Sequence, residues 1–345
     1  MNAFFFYTVT KKTEPMVCEW YANRVILARV GPHILCTYGL FVGTGMALQV
    51  LVTHAFAQKT VQSSSAAWWV SVLVPWVTVV GWRVCSVCIE DAHQLRNGRW
   101  WTALCRPGYL EAGGHVFAMA FALTVGGRAH GIALCDSVNA GYYLALTFLK
   151  LGCVSYGCCW GVALTSDTWY ATRYVDANAK VLRLQPKLHG VPLFPVSSFM
   201  AALFLKNAVF CALLLTMKSY RIGMATALLP FTNALDKRLY FSKRGDAAET
   251  EGIDPLEDFR MVPAAEKRRY CQVWARCDAI PCALAWLHLF TCHPVAVAPF
   301  DTGTTTLWMA SGVAFALGVA AFGYHYGRCG CWCPQRSVGI TLKKR

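Results

Sequence analysis

Residues Ser137–Leu164 read SVNAGYYLALTFLKLGCVSYGCCWGVAL: an apolar run with one cation, Lys150, near its middle and three glycines, Gly152, Gly157 and Gly161, just beyond it. About 20 apolar residues in helical form cross a bilayer core, so the stretch is long enough to span. An ammonium at mid-membrane is costly and as a rule faces a polar partner or cavity. The alternative, snorkelling of the long side chain to an interface, also suits so long a span. Glycines at this spacing let a backbone or a ligand approach closely. The run is therefore read as a broken or re-entrant helix end lining a lipid-accessible cavity, or as plain helix packing.

The rest of the chain has the same character. It holds 345 residues, of which 56% are hydrophobic and only 14% charged, against about a quarter charged in soluble domains. That excludes a disordered tail and an ordinary water-soluble enzyme. Further apolar runs cover 32–56, 66–82, 108–125 (broken by Glu111 and His115), 195–217 (with Lys206), 222–235, 281–300 (broken by His288, His293 and Pro294) and 304–327. The expected fold is all-α, a polytopic helical membrane bundle of seven or eight transmembrane helices. It divides into an N-terminal polar segment (1–31), a membrane domain (32–241) with a head loop at about 165–195, a polar loop (242–280), two C-terminal membrane segments (281–327, the first interrupted) and a Cys/basic tail (328–345).

The net charge is +14. The basic residues sit between apolar runs, with no aromatic-interleaved stripe, so anionic lipid headgroups are the expected partner and nucleic acid is not. Basic-rich and basic-poor loops alternate, which places both termini in the cytosol if there are eight spans. The expected localisation is a multi-pass integral membrane protein (in the endoplasmic reticulum if the source is eukaryotic), with no removable signal peptide. The 17 cysteines are odd in number, and Cys36, Cys85, Cys153, Cys158, Cys159 and Cys211 lie in or beside apolar stretches, where a thiol acts as a small hydrophobe. Cys329, Cys331 and Cys333 suit acylation, no special role, or metal binding. No metal site and no cofactor is expected elsewhere.

The stretch from Lys150 to Gly161 resembles the signature of the bacterial prolipoprotein diacylglyceryl transferase family, and within it a looser branch that carries Gly-Cys…Gly-Cys-Cys-x-Gly in this place. Other pieces follow in family order. Tyr38-Gly39-Leu40 is similar to the family's Tyr-Gly-Leu, and Arg83 closes an element like its Gly-Ala-Arg. Pro107-Gly108 and Gly113-Gly114 resemble the glycines that open its third span. Asp136 stands before the fourth, and Phe194–Phe199 stands where a His-Pro element is found. Lys237-Arg238 and Arg244 resemble the basic residues that close the sixth.

The resemblance implies an enzyme that moves a diacylglyceryl group from phosphatidylglycerol to a cysteine thiol. The partners would be an anionic phospholipid and a protein or small-molecule thiol acceptor. By this reading Tyr38, Lys150 and Arg238 hold the phosphate, and His115 is the base. Arg83, Asp136, Cys153 and Arg244 belong to the substrate site, which Gly152, Gly157 and Gly161 shape. The departures are specific. Ala112 stands at the family's histidine, with His115 three residues on. Cys153 replaces an Asn, Phe194 a His, and Ser242 or a neighbour a Glu. Lys150 in place of Arg loses the bidentate fork. The alternative reading is a catalytically inactive lipid-binding or scaffolding protein of the same fold. Loop charge puts the 166–194 head on the cytosolic side, whereas the resemblance puts it outside.

Overall fold

The computed structural model describes residues 22–30, 33–61, 64–89, 92–105, 111–166, 168–246, 253–254, 259–260, 279–291 and 305–328. The long helices are α1 (Thr37–Thr60), α2 (Ser64–Ile89), α3 (Glu111–Tyr156), α4 (Val196–Thr216), α5 (Met224–Phe241), α6 (Ala279–Thr291) and α7 (Thr305–Arg328). In hydrocarbon the backbone must satisfy its own hydrogen bonds, so these apolar runs fold as helices. Two small antiparallel pairs depart from a purely helical fold: β1 (Ile26–Val30) with β2 (His33–Cys36), and β3 (Ile253–Asp254) with β4 (Phe259–Arg260). The first takes up the start of the run expected to be helical from residue 32. The Cys36 thiol then caps α1 by accepting from the Gly39 N–H.

Helix α3 merges the two runs that the sequence separates at 126–136. It is a hairpin. The Tyr142 hydroxyl donates to the Glu111 carbonyl at 2.8 Å, and His115 Nε2 lies 2.9 Å from Asn139 Oδ1. In a straight helix, residues 24 apart are about 36 Å apart. The reversal is at Gly127, with φ 54° and ψ −153°, a region that essentially only glycine occupies. The second arm ends at Tyr156 rather than 164.

Among the described residues, four helices are long and apolar enough to cross a membrane: Thr37–Thr60, Ser65–Cys88, the hairpin helix over Gly113–Tyr156, and Val196–Thr216. This is the pattern of a multi-pass membrane protein. Helix α6 and the apolar part of α7 (Leu307–Ala320) are shorter. Residues 292–304, the Lys267–Arg269 run and the Cys329–Cys333 tail lie outside the described residues.

Helix α3 is the centre of the bundle, touched by α1, α2, α4 and α5, with α7 laid along α1. Small residues set the close approaches: Gly45 faces the Ala145 backbone, and Gly43 faces α7 at Val319 and Gly318. Asp136, fully buried, ties the second arm to α5. Its carboxylate accepts from the Tyr220 hydroxyl (2.6 Å), the Gly223 N–H (2.6 Å), the Thr226 N–H (2.7 Å) and the Thr226 hydroxyl (2.6 Å). The N-cap of α5, Gly223, has no side chain to close that helix. Asp136 does so from another helix, where a carboxylate also suits the helix dipole.

Candidate functional site

The site forms where the second arm of α3 stops. Gly157 takes φ 70°, and its N–H is bonded to the Cys153 carbonyl at 2.8 Å. A left-handed residue of this kind is the usual way to end a helix, and here it folds Cys158 and Cys159 back over the last turn. Beyond it, Trp160–Val162 run as a strip between two distant segments. Val162 N–H bonds the Lys243 carbonyl (3.0 Å), Gly245 N–H bonds the Trp160 carbonyl (3.0 Å), and Phe194 N–H bonds the Val162 carbonyl (2.9 Å). Gly161 packs against the Phe194 backbone with no room for a Cβ. The strip therefore brings Arg244 to the cysteines.

Lys150 is one turn back along α3. Its ammonium is 3.1 Å from a Glu111 carboxylate oxygen, the two side chains 7% and 22% exposed. Its Nζ also lies 6.0 Å from the centre of the Phe204 ring. The amine is thus turned into the bundle onto a counter-ion, not to an interface. Glu111 is a site residue that the sequence reading passed over as an interruption of an apolar run. The available signal was a lone acid and a lone base in consecutive apolar runs, which in a membrane seek each other.

Arg244 forms a two-pronged ion pair with Asp246, Nε–Oδ1 2.9 Å and Nη2–Oδ2 2.6 Å. The Sγ atoms of Cys153, Cys158 and Cys159 all lie within 4.8 Å of one another. Cys159 has its thiol held well below the ordinary range. The hydrogen bonds with Cys153 and Cys158 act first in that direction; burial opposes them, and the charges of Lys150 and Arg244 add to them. Cys158 moves the opposite way, raised by its hydrogen bonds with Cys153 and Cys159 and by burial. One thiolate is thus favoured, supported by two thiols. A small cleft of about 10 Å³, roughly the room of one water, lies beside Cys159, bounded by Trp160, Gly161, Tyr174, Phe194 and Ser197.

The structure brings together only part of the residue set read from the sequence. Lys150, Cys153 and Arg244 converge, with Gly157 and Gly161 shaping the backbone around them. Gly152 lets Tyr38 lie against the same helix: a Cβ there would be 3.0 Å from the Tyr38 ring. Tyr38 is buried and packs against Tyr156, ring centres 5.6 Å apart and planes tilted by 49°. His115 is one turn along from Glu111 on the first arm, and its bond to Asn139 directs it along the hairpin. Arg83 is elsewhere. It is buried, bonded to the Ser86 hydroxyl and the Ala103 carbonyl, and joins α2 to the short helix Trp100–Cys105. Asp136 is engaged as the cap of α5. Arg238 lies on α5, but its side chain is outside the described residues.

Compared with protein-family models and with curated proteins, the chain matches none.

Proposed function

We propose that the protein is a membrane-embedded lipid-group transferase, with seven or eight spans when the shorter apolar helices are counted. It moves a glycerolipid-derived group, diacylglyceryl from an anionic phospholipid, to a thiol. The observation that carries this reading is the convergence of two cations, the buried Lys150 and the half-buried Arg244, on Cys159 at the end of an apolar helix. In such a reaction the acceptor sulfur bonds to the glycerol carbon while the carbon–oxygen bond to the phosphate breaks. The glycerol phosphate leaves with the electron pair, and the thiol proton goes to a base. Cations that bind the departing glycerol phosphate, which gains a negative charge as the carbon–oxygen bond breaks, more strongly than the singly charged diester lower the barrier. Glu111 and Asp246 hold the cations in place, Arg238 is assigned as a further phosphate contact, and His115 takes the proton.

One specific pair of observations favours a second reading, an inactive lipid-binding scaffold. Lys150 is already neutralised by Glu111, and the cleft beside Cys159, about 10 Å³, is far below the roughly 300–1,000 Å³ of ordinary ligand pockets.

The test is purified protein in vesicles of headgroup-labelled phosphatidylglycerol, with a cysteine peptide as acceptor. Release of labelled glycerol phosphate, lost by about two orders of magnitude or more in Lys150→Ala, supports the transferase. Bound lipid without turnover supports the scaffold. Full activity in Lys150→Ala removes that residue's role.

A further inference from the structure

The transferase reading leaves Cys158 and Cys159 without work and gives Cys153 only a place beside the substrate. The three thiols are the group of metal-ligand side chains that the described part of the fold assembles within 4.8 Å. A tetrahedral or trigonal ion with metal–sulfur bonds near 2.3 Å needs sulfurs about 3.8 Å apart. The existing spacing is therefore within about an ångström of a ligand set, a change that thiol rotation supplies. All three are free thiols in the structure. Their grouping follows from the backbone: Cys153 is on the last turn of α3, and the left-handed Gly157 returns Cys158 and Cys159 over it.

We propose that Cys153, Cys158 and Cys159 form a three-thiolate site for a thiophilic d10 cation, Zn(II) or Cu(I). Carboxylates would select hard ions such as Mg(II), and none belongs to the cluster; three sulfurs select soft ones. Three thiolates with Zn(II) carry −1, and with Cu(I) −2; Lys150 and Arg244 are the nearby cations whose charges reach Cys159, each shared with its own carboxylate, Glu111 and Asp246. Binding releases the thiol protons to solvent and changes no oxidation state, provided that copper is supplied as Cu(I).

The site has an inner and an outer side. Cys153 is 3% exposed, whereas Cys158 and Cys159 are half-buried and Cys159 borders the cleft with Ser197. Protein closes three positions, and the cleft gives the entry path. For Zn(II) it also leaves one position to a water or an exchangeable ligand, the arrangement of reactive rather than purely structural zinc. Cu(I) would sit trigonally with that position empty.

The inference is independent of the transferase reading, and its readout is occupancy rather than turnover. Full-length protein is reduced, stripped with chelator and held in detergent without oxygen. It is then given one equivalent of Zn(II), or of Cu(I), and pulsed with an alkylating reagent. Mass spectrometry reads each cysteine separately, so the Cys329–Cys333 tail does not confuse the result. The expected result is at least about tenfold slower labelling of Cys158 and Cys159 with one of the two ions, while Cys88 is unaffected; a ligated thiolate is no longer free to attack. X-ray absorption should show three sulfurs about 2.3 Å from the metal. Each of Cys153→Ser, Cys158→Ser and Cys159→Ser should weaken binding at least about tenfold. Unchanged labelling of Cys158 and Cys159 with both ions, or protection confined to the tail cysteines, overturns the proposal. The labelling arm needs no variant, so a misfolded serine mutant does not rescue it.

Discussion

Glu111→Gln is the perturbation that most directly interrogates the buried ion pair. At 3.1 Å and an effective dielectric constant near 20, the attraction between the two charges is about 5 kcal/mol. Removing one partner of a buried pair costs about 3–5 kcal/mol, because the other is left uncompensated. The two single changes should differ. The Lys150 ammonium is 7% exposed and Glu111 22%, so an orphaned ammonium has less access to water than an orphaned carboxylate, which can also protonate. Glu111→Gln is expected to cost about 4 kcal/mol and Lys150→Met about 3 kcal/mol. The double change Lys150→Met with Glu111→Gln leaves no charge behind and should cost only about 2 kcal/mol. That implies a coupling of about 5 kcal/mol, in line with the Coulomb figure. The assay is equilibrium unfolding in mixed micelles with increasing sodium dodecyl sulfate, followed by tryptophan fluorescence. Additive single changes, with coupling below about 0.5 kcal/mol, would refute the reasoning and put the amine somewhere other than on Glu111.

Two further outcomes follow from particular atoms. Asp136→Asn turns an amide N–H toward donors that a carboxylate now accepts, and should lower stability by about 2–4 kcal/mol in the same unfolding experiment, with α5 losing hydrogen-exchange protection first. A measured loss below about 0.5 kcal/mol would contradict the capping role. In chelator-treated, reduced protein, Cys159 should keep more of its alkylation rate than Cys158 as pH falls from 9 to 7, because its thiol is held below its ordinary range by its hydrogen bonds with Cys153 and Cys158 and by Lys150 and Arg244. Cys158, raised instead, should slow about tenfold for each unit of falling pH. Parallel profiles for the two thiols would show that the neighbouring groups do not set them apart.

How far the site was readable depends on which physical effect placed each residue. Lys150 stood out because a charge in a run of Leu, Phe and Tyr is costly wherever that run ends up. Gly157 and Gly161 stood out because glycines at that spacing let a backbone or a ligand approach closely. Glu111 was visible only as a blemish in an apolar run, since its partner lies 39 residues on and meets it only after the reversal at Gly127. Asp136 read as a substrate contact from its place in a motif order. What it actually does depends on Gly223 leaving α5 uncapped 87 residues later. Arg83 was placed in the same site by order along the chain, but its bonds run to Ser86 and Ala103.

Composition and apolar run length, local properties of the chain, were enough to mark helices long and apolar enough to cross a membrane, because a backbone in hydrocarbon has few other ways to satisfy its hydrogen bonds. They were also enough to mark Lys150 as a residue needing a partner. The partner, the two separated runs closing into one hairpin, and the meeting of Cys153, Cys158, Cys159 and Arg244 were settled only in three dimensions. Those contacts turn on a single positive-φ glycine at each bend and on strips of backbone paired across about 80 residues. Period and hydropathy carry no record of which distant segment will come to lie alongside.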